Sequence, residues 1–368
     1  MGCAWRGRLW ILGWCATLLG AAAPAAEPLP PTSGGLGFEC VRLREFVIPR
    51  RWPEPSCHAS TIVEAVPGEL VAAWFAGTDE GEKDVSIWLA RHGESGWETP
   101  RRVIDGVQAD GSRHPCWNPV LFRGSPRAGE KPPLFLYAKV GPSPSTWWGV
   151  VSESADDGRT WSPARRIGGE AVGPVKNKPL VRADGTVIAG SSSEDDGWRV
   201  HFERSEDGGR TFTRGPAVHR APDTAGGPRD GISAIQPSIL ELGGDRLRAV
   251  GRTRQGRIFE IDSADGGRTW GAMTLGTLPN PNSGTDALTL ADGRHLVVYN
   301  HTDRGRSPLD VAVSRDGRSW TPVVALETEP GEFSYPAVIQ TADGLVHVTY
   351  TWNREAIVHA VVDPARFP

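Results

Sequence analysis

From residue 40 onward the chain is written in short apolar runs, most of them closed by Gly, Pro, Asn or Asp. Some runs alternate apolar and polar residues, as in 257–262 (RIFEID), the mark of a strand with one buried face. Others are apolar almost throughout, as in 69–75 (ELVAAWF), the mark of a strand covered on both faces. The runs fall into blocks of three: 58–64, 69–75 and 84–91; 118–122, 133–139 and 147–152; 178–182, 186–191 and 198–204. The rhythm continues with 236–242, 246–253 and 257–262, then 286–290, 295–300 and 309–313, and finally 335–341, 346–351 and 356–362. A lone run at 40–49 precedes the first block, after a Pro/Gly stretch at 27–39. No 3.6-residue periodicity is long enough to build a helical domain.

A phrase recurs behind the third run of four blocks. It reads Ser154-x-Asp156-x-Gly158-x-Thr160-Trp161, Ser205-x-Asp207-x-Gly209-x-Thr211-Phe212 and Ser263-x-Asp265-x-Gly267-x-Thr269-Trp270. A shorter copy is Ser314-x-Asp316-Gly317-x-Ser319-Trp320. An Asp before Gly suits a tight hairpin: the carboxylate caps turn amides and Gly takes the positive φ. The serines are separated by 51, 58 and 51 residues, one four-stranded unit each. Such repetition sets the architecture. It predicts an all-β, six-bladed propeller over 40–368, with a closing strand behind each phrase. The sixth block lacks a fourth strand, and the run at 40–49 supplies it, closing the ring and removing open sheet edges. The phrases staple outer turns; chemistry is expected at the central mouth, where the innermost strands begin.

Composition adds three things. A net charge of −4 excludes the electrostatic footprint of a nucleic-acid binder. Fifteen Trp exceed what the phrases use, and some can stack on the apolar faces of sugars. At the N-terminus, Arg6 and Arg8 precede an apolar stretch at 9–19 and small residues at 21–26, the order of a cleaved secretory signal over 1–26. The apolar stretch is short for a membrane span, so the expectation is a secreted or periplasmic monomer without stable membrane insertion. Cys40, Cys57 and Cys116 remain after cleavage. They allow one disulfide, with Cys40–Cys57 as one pairing, or three buried thiols. Their spacing fits no zinc site, and no metal or cofactor is expected.

The four phrases on a six-block rhythm resemble the Asp boxes of the sialidase (neuraminidase) superfamily and its BNR-repeat relatives, over about residues 40–363. The resemblance implies an enzyme holding its substrate's carboxylate with three arginines, as guanidinium forks suit carboxylates. Arg252 and Arg306 stand at two of those places, with Arg254 a near-equivalent of Arg252. The first arginine is replaced by His58. Tyr335 stands at the place of the nucleophile, but the glutamate that should take its proton is Gln236. Glu332 is a substitute in sequence. The resemblance puts the general acid at Asp110, with His114 as a rival, and another rim carboxylate at Asp84. Asn118, Lys178 and Asp286 also open inner strands and complete the expected substrate-binding set.

The expected function is therefore an exported exo-α-sialidase-like glycoside hydrolase acting on a terminal acidic sugar of a glycan. A hydrolase or lyase of uronic-acid glycans, with His58 or His114 and Tyr335 as base and acid, is one alternative. A non-catalytic glycan-binding propeller is another, and a protein-binding scaffold a third. The first two differ in whether Asp110 and Tyr335 carry turnover or only affinity.

Overall fold

In the computed structural model, residues 35–367 are described apart from 49, 51, 127–128, 196 and 219–230, as are residues 1, 2 and 29. The rest of the expected signal segment lies outside the described residues. The described chain forms six antiparallel sheets around one axis. Blade 1 opens with Ser56–Val66, blade 2 with Cys116–Arg123, blade 3 with Leu180–Val181, blade 4 with Ala234–Glu241, blade 5 with Asp286–Thr289 and blade 6 with Phe333–Gln340. Each of these inner strands pairs outward in chain order, and the fourth strand of blade 6 is Val41–Phe46. It lies antiparallel to Ala356–Val362, with Arg44 opposite Ala360 and Phe46 opposite Val358. The expected ring closure is thus what forms. The inner strand of blade 3 is shorter than the run at 178–182 because Pro179 has no amide to give a ladder.

Apolar clusters fill the wedges between neighbouring blades: Trp74, Tyr350 and Val358 belong to one, Phe122, Tyr137 and Phe212 to another. The phrase turns seal these wedges from one end. Asp156 Oδ1 accepts from Ser154 Oγ at 2.8 Å and from the Thr160 amide at 2.8 Å, while Oδ2 accepts from Thr160 Oγ1 at 2.6 Å. Asp207, Asp265 and Asp316 repeat these bonds. The glycine is required at Gly209: its φ is 97°, and an added Cβ would sit 2.8 Å from the Phe122 ring of the preceding blade. Each turn therefore locks its own hairpin and packs on its neighbour.

Cys40, Cys57 and Cys116 are free, buried thiols, so of the two arrangements the sequence allows, the chain takes the one without a disulfide. Burial pushes the Cys116 thiol up to about 12. Among the described residues no group of His, Cys, Asp and Glu could hold a metal ion. No helix among them is long and apolar enough to cross a membrane.

Candidate active site

Antiparallel strands alternate in direction, so the starts of the inner strands and the hairpins between second and third strands share one end of the ring. The phrase turns join third to fourth strands and lie at the other end. At the shared end each blade carries, in its inner strand or the segment leading into it, one non-glycine residue in left-handed conformation: Ala59, Asn118, Lys176, Gln236, Asn282 and Tyr335, with φ between 39° and 74°; Asn353 and Arg354 in the blade 6 hairpin are left-handed as well. In blades 1, 2, 4 and 6 that residue sits in a bulge of the inner strand, where the register slips against the second strand. Bulges re-aim side chains next to active sites. A left-handed non-glycine costs roughly 1–2 kcal/mol. Six of them around one axis mark a place where the backbone is bent to present side chains.

Tyr335 is the centre of this ring. Arg252 Nη1 donates to its hydroxyl. The guanidinium carbons of Arg252 and Arg306 lie 5.5 and 5.7 Å from its ring, and Lys176 Nζ lies 5.8 Å away. The two arginines from blades 4 and 5 therefore converge on one phenol. Arg252 is itself fixed by Asn282 Oδ1, which accepts from Nη2 at 2.9 Å, and by Gln236 Oε1, which accepts from Nη1 at 3.2 Å. Its guanidinium lies 4.7 Å from the Trp198 ring, and Arg254 lies 4.3 Å from the same ring. Arg252 is thus the arm that reaches Tyr335, and Arg254 braces Trp198.

His58 is 1% exposed and its ring centroid lies 4.1 Å from that of Tyr335. Nδ1 lies 2.9 Å from Thr351 Oγ1, which also accepts the Ala59 amide. The threonine proton has no other acceptor among the described residues, so it goes to Nδ1 and leaves Nε2 as the protonated nitrogen. That Nε2 is buried and unpaired among the described residues. Burial, reinforced by the positive charges of Arg354, Arg306, Arg252 and Lys176, holds the imidazole pKa well below its ordinary value. His58 is therefore a neutral donor waiting for an acceptor, not a short arginine.

Arg354 and Glu332 complete the cluster. Glu332 Oε1 accepts from Arg306 Nη1 at 2.7 Å and from Arg354 Nε at 2.9 Å, and Arg354 Nη1 donates to Glu80. Glu332 thus braces two arginines rather than meeting Tyr335, and no carboxylate hydrogen-bonds the phenol among the described residues. Lys176 donates to the carbonyls of Thr285, at 2.7 Å, and Pro336. Burial pulls this lysine down to about 7, although Asp286 works in the opposite direction.

The remaining expected residues divide differently. Asp286 is saturated by Lys178 Nζ at 2.9 Å, Ser238 Oγ at 2.8 Å and the amides of Val338 and Ala287, both at 2.9 Å. Asp286 and Lys178 tie blades 3 to 6 together around the axis. Asp110 is exposed: its Oδ1 accepts from Ser112 Oγ and the Ser112 amide, bonds that lower its pKa. His114 packs edge-on to Trp148, 5.4 Å between centroids. Among the described residues no hydrogen bond or ring contact joins Asp110 or His114 to Tyr335. Asp84 caps Thr78 in the blade 1 hairpin; burial works against its ionisation, but the Thr78 hydroxyl and amide outweigh it and lower its pKa. Asn118 is buried at its left-handed position and makes no side-chain hydrogen bond among the described residues.

Sequence reasoning missed Arg354, Glu194 and Trp198. All three stand in hairpins between second and third strands. The signal that finds them is strand alternation: those hairpins must lie at the same end as the inner-strand starts.

Comparison with known proteins agrees with this fold. In a search of solved structures, the Hadza microbial sialidase Hz136 superposes with a TM-score of 0.72 at 16% identity, covering 89% of this chain and 70% of that one. A Dyadobacter fermentans protein of unknown function superposes with a TM-score of 0.70 at 15% identity, over 93% and 100%. The intramolecular trans-sialidase of Ruminococcus gnavus, in complex with oseltamivir carboxylate, gives 0.66 at 14% identity, over 87% and 97%. No curated protein matches in sequence. The family model described as BNR repeat-like domain matches residues 68–348, more than half of the chain. With the sialidase propeller fold, the Asp-box turns and that match together, the chain belongs to the BNR repeat-like domain family.

Proposed function

We propose that this protein is an exported glycoside hydrolase, sialidase-like in its site, that removes a terminal acidic sugar from a glycan. The observation that carries this reading is the convergence of Arg252 and Arg306 on Tyr335, beside the unpaired Nε2–H of His58. A buried and a half-buried guanidinium beside an unsatisfied donor are a receptor for an anion, and guanidinium forks select a carboxylate. Arg252 and Arg306 hold the sugar carboxylate, and His58 donates the neutral hydrogen bond that replaces a third charge. Tyr335 presents its oxygen to the anomeric centre, where positive charge develops in an oxocarbenium-like transition state.

Gln236 supports a second reading. With an amide in place of a carboxylate and no carboxylate on Tyr335, the same mouth serves a propeller that binds acidic sugars without cleaving them. Protein lacking residues 1–26 separates the two when incubated with 3′-sialyllactose, 4-methylumbelliferyl sialoside and 4-methylumbelliferyl glucuronide. Release of free sugar from one of them, lost in Tyr335→Phe, is the expected result. Binding of the same sugars without release under any condition overturns the hydrolase and leaves the binding propeller. Release from the glucuronide alone moves the substrate to a uronic acid.

A further inference from the structure

We infer that Glu194 is the proton donor to the departing glycosidic oxygen, a role that rests on the hydrolase reading above. Glu194 stands in the hairpin between the second and third strands of blade 3, at the same end of the ring as Tyr335. Its Oε2 accepts the indole N–H of Trp198 at 2.9 Å. The Trp198 ring in turn carries Arg252 at 4.7 Å, and Arg252 holds the Tyr335 hydroxyl. Carboxyl, indole, guanidinium and phenol thus form one connected row from blade 3 to the axis. The Ser145 hydroxyl, donating to the Glu194 carbonyl at 3.2 Å, pins the backbone from blade 2.

The other carboxylates of the cluster are already committed. Glu332 accepts from Arg306 and Arg354, and Glu80 accepts from Arg354. Both are thus tied into guanidinium pairs. Glu194 receives only the indole N–H, and its Oε1 has no partner among the described residues. The charged groups facing it are Arg252, Arg254 and Glu80. Burial outweighs the two arginines and, helped by Glu80, raises the carboxyl above its ordinary range, the direction a general acid requires. Asp110 is shifted the opposite way by its own turn.

The step balances. As the anomeric C–O bond breaks, its electron pair leaves with the glycosidic oxygen, which takes the Glu194 proton. The carboxylate then removes a proton from the water that releases the sugar, restoring the acid.

The test compares two sialosides with wild type and Glu194→Gln, the glucuronide pair serving instead if only that sugar is cleaved. A poor leaving group, the lactose of 3′-sialyllactose, needs the proton; 4-methylumbelliferone barely does. E194Q should lose about 10²–10⁴-fold in kcat on the lactoside and less than about 10-fold on the umbelliferyl glycoside. It should also lose the alkaline fall of the wild-type kcat profile. Azide or formate should restore turnover of the umbelliferyl glycoside in Glu194→Ala. Gln keeps an acceptor for the Trp198 indole, and unchanged circular dichroism and Tm confirm folding. Equal losses on both substrates, or the selective loss appearing in D110N instead, overturn the assignment while leaving the hydrolase reading standing. A wild-type protein inert on every glycoside overturns both.

Discussion

The two ends of this propeller use repetition in opposite ways. At one end four turns repeat a backbone and also its side chains: Asp156, Asp207, Asp265 and Asp316 make the same bonds to a Ser and to a Thr or Ser. At the other end six blades repeat a left-handed backbone position but fill it with Ala59, Asn118, Lys176, Gln236, Asn282 and Tyr335. The first end is a structural constant. The second is a fixed frame on which each blade carries a different chemical group. Stability is copied and chemistry is not.

Substitutions at the two ends should therefore separate activity from stability. The largest effect is expected at Arg252. Arg252→Ala removes the buried guanidinium proposed to hold the substrate carboxylate and should lower kcat/KM by about 10²–10³-fold, read on whichever glycoside the wild type cleaves, with little change in Tm. Asp265→Ala should do the reverse. It should cost about 1–3 kcal/mol in denaturant unfolding, with kcat unchanged. Thr269 hydroxyl and amide bonds hold the Asp265 carboxyl down to about 2, against about 3.9 unfolded. Its contribution is therefore present above about pH 4 and fades as pH falls toward 2, so wild type and variant should converge in acid.

A smaller effect belongs to Lys176. Its folded pKa is about 7 and its unfolded value about 10.4. Between those values the unfolded chain binds the extra proton, so wild-type stability should rise with pH from about 7 to 10. Lys176→Met should lack that slope in parallel urea titrations. The smallest effect is expected at Ala59. Glycine relieves the left-handed strain but adds unfolded-state freedom, two terms of about 1 kcal/mol each that nearly cancel. Ala59→Gly should shift stability by less than about 1 kcal/mol; a large loss would show that the methyl group packs for more than the backbone costs.

The same contrast explains what the sequence revealed. The Asp phrase is a local motif whose partners lie within a few residues, so its spacing gives the length of a blade, and the six blocks of runs with the lone run at 40–49 give the blade number and the closing strand. Arg252, Arg306 and Tyr335 entered only through the resemblance to the sialidase superfamily, since their distances to the phrases differ from blade to blade. Arg354 and Glu194 were not legible: Arg354 meets Glu80 and Glu332 from elsewhere in the chain, and Glu194 connects to the axis only through Trp198 and the Arg252 stacked on it. The pairing of Glu332 with arginines was equally hidden: three residues from Tyr335 in the chain, it points its carboxylate elsewhere. Asp286 looked like a binding residue because it opens an inner strand, yet four donors from the protein already occupy it.

The closing strand sets a timetable for synthesis. Glu45 on that strand meets His359 across 314 residues of chain. At about 5–20 residues per second a ribosome needs on the order of 15–60 s to make that interval. Through all of it the last blade has no partner for its first-made strand, and the ring stays open with unpaired edges. Closure is therefore the last step of assembly, because Ala356–Val362, the strand that pairs with Val41–Phe46, is made last.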